Sequence, residues 1–148
     1  MPIVPESGIP KKLLIMFKTV LFPIDQSREA REAVDVVANV VQKYNSRLVL
    51  LSVVEPPEEG KTGTMNDTEA VAKLLQGAQA LFAQQGITAE IMEREGKPSF
   101  TICDVADEIE ANLIIMGCRG IGLIEDEASE SVTNRVINLS PCPVLVVP

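Results

Sequence analysis

"KTVLFPIDQSREAREAVDVVANVVQKYNSRLVLLSVV", residues 18–54, reads as strand, helix and strand in succession. Its first piece, "KTVLFPID" (18–25), is a short apolar run rich in branched residues that stops at Pro23 and Asp25. Continuous apolar runs of this length mark a strand covered on both faces. The middle piece, 27–44, has Ser27 in an N-cap position and carries Ala30, Ala33, Val34, Val37 and Val41 at helical spacing, a single apolar stripe. The last piece, "RLVLLSVV" (47–54), is a second buried strand. Two strands joined by a crossover helix pair in parallel.

The same alternation continues outward. "EPPEEGKTG" (55–63) is a loop by its Pro, Gly and charge content, and a helix follows over about 67–85. Ala70, Leu74, Leu75, Ala78 and Leu81 form its expected apolar face, and Gly86 its stop. "ITAEIMERE" (87–95) alternates loosely, as an edge strand with one wet face does, and "KPSFTICDVADEIEAN" (97–112) is helical with Pro98 in the first turn. "LIIMG" (113–117) is another buried strand; a helix at about 129–139 and a final strand "PVLVV" (143–147) complete the order. No internal repeat interrupts it. The fold class is α/β: a single doubly wound, five-stranded parallel sheet with helices on both faces. Such sheets bind ligands beyond the carboxyl ends of their strands, where the winding reverses. If the first and fourth strands are neighbours at the reversal, Asp25 and Gly117 lie side by side there.

Composition excludes several functions. The 148 residues suit one domain able to bury roughly 70% of its unfolded surface. With 46% hydrophobic and 3% aromatic residues, the core is built from Val, Ile, Leu, Ala and Met. A net charge of −8 repels polyanions, so neither nucleic acid nor an anionic membrane is an expected partner. No histidine is present, and Cys103, Cys118 and Cys142 form no CxxC pair, which excludes zinc sites of the usual Cys/His kind. Reduced thiols and a cytoplasmic location are expected. "KKLLIMF" (11–17) has two lysines before apolar residues, but its apolar run is short and no small-residue cleavage site follows. No segment approaches the ~18 apolar residues of a membrane span.

The chemistry-bearing stretch is "IIMGCRGIGLIEDEASESVT" (114–133). Gly117, Gly120 and Gly122 would let a backbone approach a phosphate closely, with Ser131 and Thr133 as hydroxyl donors and the next helix offering its first amides. Glycines in α/β loops also serve merely to turn the chain, and spacing alone does not choose. Asp25 either accepts hydrogen bonds from a base or ribose, or caps the first helix.

"FKTVLFPIDQSREAREAV", "LLSVVEP" and "LIIMGCRGIGL…SVTNRVINLSPCPVLVVP" together resemble the universal stress protein family over about residues 16–148. The resemblance implies a strand order of 3-2-1-4-5, a cytoplasmic stress-response or signalling role, and a homodimer through the last strand, residues 143–147. Other stress proteins are further partners it suggests. It also implies AMP, ADP or ATP as ligand, bound after the fourth strand through G-x2-G-x9-G-[ST] where that motif is present. Laid on this chain, Gly117, Gly120, Ser131 and Val132 match, but Glu130 replaces the third glycine. By the same resemblance Pro23, Asp25 and Val53 fall on the adenine side, while Met116 and Gly117 fall near the ribose. Residues 1–15 have the Pro, Gly and polar character of a loose tail ahead of a domain spanning 16–148, and Met16 is a candidate translation start.

Glu130 weakens the phosphate half of this site. A carboxylate ~5 Å from a phosphate charge costs roughly 3 kcal/mol at an effective dielectric near 20, on the order of a hundredfold in affinity. Arg119 against Glu125, Asp126, Glu127 and Glu130 leaves the loop at +1 − 4 = −3. A Mg²⁺ or Mn²⁺ ion arriving with the nucleotide would offset that field; the protein alone is expected to hold no metal. A related enzyme, an ATP pyrophosphatase, wants a Ser-Gly-Gly loop after the first strand, and "PIDQSREA" has none. No catalytic residue is assigned, and the expectation is a binding protein, not an enzyme.

Overall fold

Strands and helices alternate along residues 16–24, 28–55, 68–117 and 132–148, the residues that the computed structural model describes. They are β1 (Thr19–Pro23), α1 (Arg28–Tyr44), β2 (Arg47–Val54), α2 (Thr68–Ala83), β3 (Ala89–Glu95), α3 (Pro98–Glu108), β4 (Leu113–Gly117), α4 (Val132–Leu139) and β5 (Val144–Val147). The sheet is parallel throughout, in the order β3-β2-β1-β4-β5. That is the doubly wound sheet the alternation predicts, with the winding reversing between β1 and β4.

Period-two alternation divides each buried strand between two cores. Val20, Phe22, Leu48, Leu50, Leu113 and Ile115 pack against α1 and α2, which bury Ala33, Val34, Val37, Val41, Val71, Leu75 and Phe82. Leu21, Val49, Leu51, Ile114 and Met116 face the other way, onto Ile102, Val105 and Ala106 of α3 and Val136 of α4. The apolar stripe expected on α1 is buried from Ala33 onward; the side chain of Ala30 and the candidate cap Ser27 lie outside the described residues. The face expected on α2 holds at Leu74, Leu75 and Ala78, which pack on the core, and departs toward the helix ends. Val71 and Phe82 are buried, whereas Leu81 is exposed. Phe82 takes the inner position because its ring meets Phe22 edge to face, at 6.1 Å between centroids.

Three helices end alike, and the sequence overran at one of them, α3. Asn45, Gly86 and Glu110 adopt left-handed φ of 55°, 79° and 57°. After each, an amide returns to a carbonyl five residues back: Ser46 to Val41 at 3.0 Å, Ile87 to Phe82 at 3.0 Å and Ala111 to Ala106 at 2.8 Å. This closure satisfies the last helical carbonyls, and glycine is its usual centre. With Glu110 in that place, α3 stops at Glu108 and not at 112 as its composition suggested. Glu110 is the one non-amide, non-glycine residue of the three, which is why this end was illegible.

β3 is wetter than a strand with one covered face. Only Ala89 is buried; Glu90, Ile91, Glu93 and Glu95 are exposed, and Met92 is half-buried. Glu90 accepts from Arg47 of the neighbouring strand at 2.7 and 2.8 Å, which holds its carboxyl below the ordinary range. Arg94 reaches Glu108 of α3 at 2.7 Å.

β1 and β4 are clamped at their amino ends. The Thr19 amide donates to Asn112 Oδ1 at 2.8 Å, and the Asn112 amide donates back to the Thr19 carbonyl at 2.8 Å.

Candidate functional site at the winding reversal

The crevice begins where pairing between β1 and β4 ends. Their ladder covers Val20–Leu113 and Leu21–Ile114 only, although β1 pairs with β2 through Pro23–Leu51 and β4 with β5 through Gly117–Val147. Hydrogen-bonded pairing thus continues on either side of the reversal and stops short at it, at the carboxyl ends where open α/β sheets take ligands.

Residue parity decides what lines it. Pro23, two residues beyond Leu21, shares that strand's α3/α4 face and is half-buried. β2 runs further, so Val53 lies two residues past Leu51, the partner of Pro23, and packs on the same core. Met116 is 6% exposed within that core, and Val132, the first residue of α4, packs against it. Val53, Met116 and Val132 therefore share one apolar face, and the parity of β1 places Pro23 on it. Gly117, last in β4 and half-buried, presents no side chain there.

The first turn of α4 is tied to this rim: the Thr133 hydroxyl donates to the Gly117 carbonyl at 3.0 Å. Thr133, a candidate phosphate donor by sequence, instead fixes the helix to the strand. That bond spans 16 residues, and no local pattern announces it. Of the remaining candidates, Asp25, Gly120 and Ser131 lie outside the described residues, as do Gly122 and the acidic positions Glu125, Asp126, Glu127 and Glu130. The described structure thus brings together the base and ribose candidates Pro23, Val53, Met116 and Gly117, with Val132 beside them.

Cys103 and Cys142 are free thiols on the α3/α4 face. Burial pushes both above the ordinary thiol range, with a hydrogen bond from the Ser140 hydroxyl pulling Cys142 partly back. Both stay protonated near neutrality, which suits packing rather than nucleophilic work. Among the described residues, no helix is long and apolar enough to cross a membrane.

Comparison with known proteins agrees with this architecture. The profile of the universal stress protein family matches residues 16–148. Universal stress protein Sll1654 of Synechocystis is 62% identical over 138 residues, covering 91% of this chain and 88% of that protein. Among solved structures, a universal stress protein in complex with cAMP superposes with a TM-score of 0.75 at 23% identity, covering 90% of this chain and 98% of the other. The universal stress protein from Archaeoglobus fulgidus in complex with dAMP gives 0.69 at 20% identity, with 90% and 99% covered. At those identities the two structures speak for the fold.

Proposed function

The chain belongs to the universal stress protein family, and from that premise we propose that it is a dimeric, cytoplasmic stress-response or signalling module. Its crevice takes an adenine nucleotide by the base and ribose and holds added phosphates weakly. The observation that carries this reading is the early end of β1–β4 pairing beside an apolar face of Val53, Met116 and Val132, which Pro23 joins by its parity along β1. A flat, apolar base fits such a wall, and the missing side chain of Gly117 leaves room for the sugar. The two solved neighbours are complexes with nucleotides carrying a single phosphate. A single phosphate meets less of the loop's negative field than a triphosphate does. The reading assigns binding and not turnover, since without histidine a general base would be a carboxylate, lysine or cysteine, and the two described thiols are held protonated.

The partner is a second copy, paired through β5. Of the two sheet edges, β3 carries Glu90, Glu93, Arg94 and Glu95, which discourage another strand. β5, "VLVV", carries no charge. A four-residue strand pair falls short of the roughly 1,200–2,000 Å² that stable interfaces bury, so a wider surface must join it. A mainly apolar groove of about 450 Å³ lies beside β5, with Phe17, Val40, Tyr44 and Leu145 in its lining and Asn39 and Lys43 as its polar members, and supplies such a surface.

Calorimetric titration with AMP, ADP and ATP, with and without Mg²⁺, tests the nucleotide reading. AMP should bind at least as well as ADP, and ATP worst unless Mg²⁺ is present. Glu130→Gly should improve ATP binding by roughly ten- to a hundredfold. Micromolar binding of metal-free ATP by the unaltered protein would refute the reading and favour an ATP-dependent switch.

A further inference from the structure

We propose that Pro23 is a positioning residue that holds the crevice open, because it withholds the backbone donor that would zip β1 to β4 at their carboxyl ends. Successive backbone N–H groups of a strand point to opposite neighbours. The Ile24 amide donates to the Leu51 carbonyl of β2 at 2.8 Å, so the nitrogen of residue 23 is turned toward β4. Extending the Leu21–Ile114 register by two places residue 23 opposite Met116. In a parallel ladder its N–H would then donate to the carbonyl of Ile115. Proline has no N–H to give.

The pairing pattern agrees on all three seams. Pro23 still pairs with Leu51, because that side of the ladder uses the amides of Phe22 and Ile24. β4 still pairs with β5 through Met116 and Gly117. Only the β1–β4 seam stops short, at Leu21, two residues before the one whose donor is missing, because the next rung, Phe22 with Ile115, would itself need that donor. Proline within a central strand ordinarily argues against the assignment, since it costs a ladder bond. Here the lost bond falls on the seam where a ligand needs the strands apart, and at the last residue of β1, where no further rung depends on it.

The proposal rests on the nucleotide reading for the identity of the ligand that the gap admits. A residue with an N–H at position 23 would form the missing rung in the empty protein, and a ligand would have to break it on entry. The penalty is then the net worth of one hydrogen bond, about a three- to tenfold loss of affinity.

The test uses full-length Pro23→Ala and Pro23→Val, the second preferred by a strand should the first fold poorly. Two readings are made: the through-hydrogen-bond NMR coupling between the nitrogen of residue 23 and the Ile115 carbonyl carbon, and calorimetric titration with AMP. The expected result is a measurable coupling in the unliganded variants, weakened by AMP, with the three- to tenfold loss. Absence of the coupling in a folded variant overturns the proposal, and so does a formed rung with unchanged AMP affinity. If the unaltered protein binds no AMP, the nucleotide reading fails, while the coupling still decides whether Pro23 parts the strands.

Discussion

Asn112→Ala removes a clamp whose worth can be worked from its geometry. The Thr19 amide donates to Asn112 Oδ1 at 2.8 Å, and Thr19 itself is only 6% exposed. Truncating the amide therefore strands a mostly buried N–H, which costs about 1–3 kcal/mol. Asn112 lies at the surface, so water replaces part of the bond and places the loss in the lower part of that range, about 1–2 kcal/mol. The reverse bond, from the Asn112 amide to the Thr19 carbonyl, involves backbone alone and survives. In a domain of this size the midpoint of thermal unfolding should fall by about 2–8 °C. Urea denaturation should show a lower midpoint with an unchanged slope, since no more surface is exposed on unfolding. Asn112→Asp is the control because it keeps an acceptor oxygen. Its carboxylate would be stabilised by the Thr19 N–H, so its folded pKa would lie below the unfolded value near 3.9. That contribution is present above the unfolded value and is lost as pH falls through the folded one. Equal stability of the Ala and Asp variants at neutral pH, both within about 0.5 kcal/mol of the original, would refute the clamp.

Leu145→Lys and Val147→Lys should each give monomers, because each puts a charge on the one uncharged sheet edge; dimeric elution of both variants, checked by light scattering, would place the contact elsewhere. Deleting residues 2–15 should lower the thermal midpoint by no more than a few degrees, and a larger fall would mean that this segment packs on the domain or its partner. Gly96→Ala should cost about 1–3 kcal/mol in urea denaturation, since Gly96 sits at φ 151° and a Cβ there would lie 2.5 Å from Thr101 Oγ1. An alanine variant as stable as the original would show that the turn into α3 relaxes freely.

The legible parts of this fold are those fixed by short-range pattern. β1, β2 and β4 are apolar runs because they lie at the middle of a sheet covered by helices on both faces, and α1 carries the stripe that covering demands. Pro23, Val53 and Met116 came together because their parities along β1, β2 and β4 agree, and parity follows once the strand order is known. The illegible parts depend on partners distant in the chain. Asn112 and Thr19 are 93 residues apart, and nothing in "EANLI" marks Asn112 as an acceptor for the first strand. Leu81 looked as apolar as Phe82, and only the ring of Phe22 selects between them. One local end was missed too: Glu110 closes α3 without glycine, so its composition carried that helix on to 112, whereas α1 ends at Tyr44 as its sequence reads.

The clamp and the parting act at opposite ends of one seam. Asn112 holds β1 to β4 where the strands enter; Pro23 frees them where they leave, with two paired positions between. The base wall is made of strand ends and is fixed by register. On the proposed nucleotide reading, the approach to the phosphates depends instead on the segment leading to α4, whose first turn is moored to β4 by Thr133 and the Gly117 carbonyl. On that reading, charge changes in the segment before α4, Glu130 among them, should alter tolerance for phosphate without moving the wall proposed to meet the base. Changes at Pro23 do the reverse, altering the width of the gap and leaving the loop's charge as it was. Under the same proposed reading, affinity for the base and discrimination among mono-, di- and triphosphates are set by separate parts of the chain, so substitutions at Pro23 and Glu130 should add in free energy.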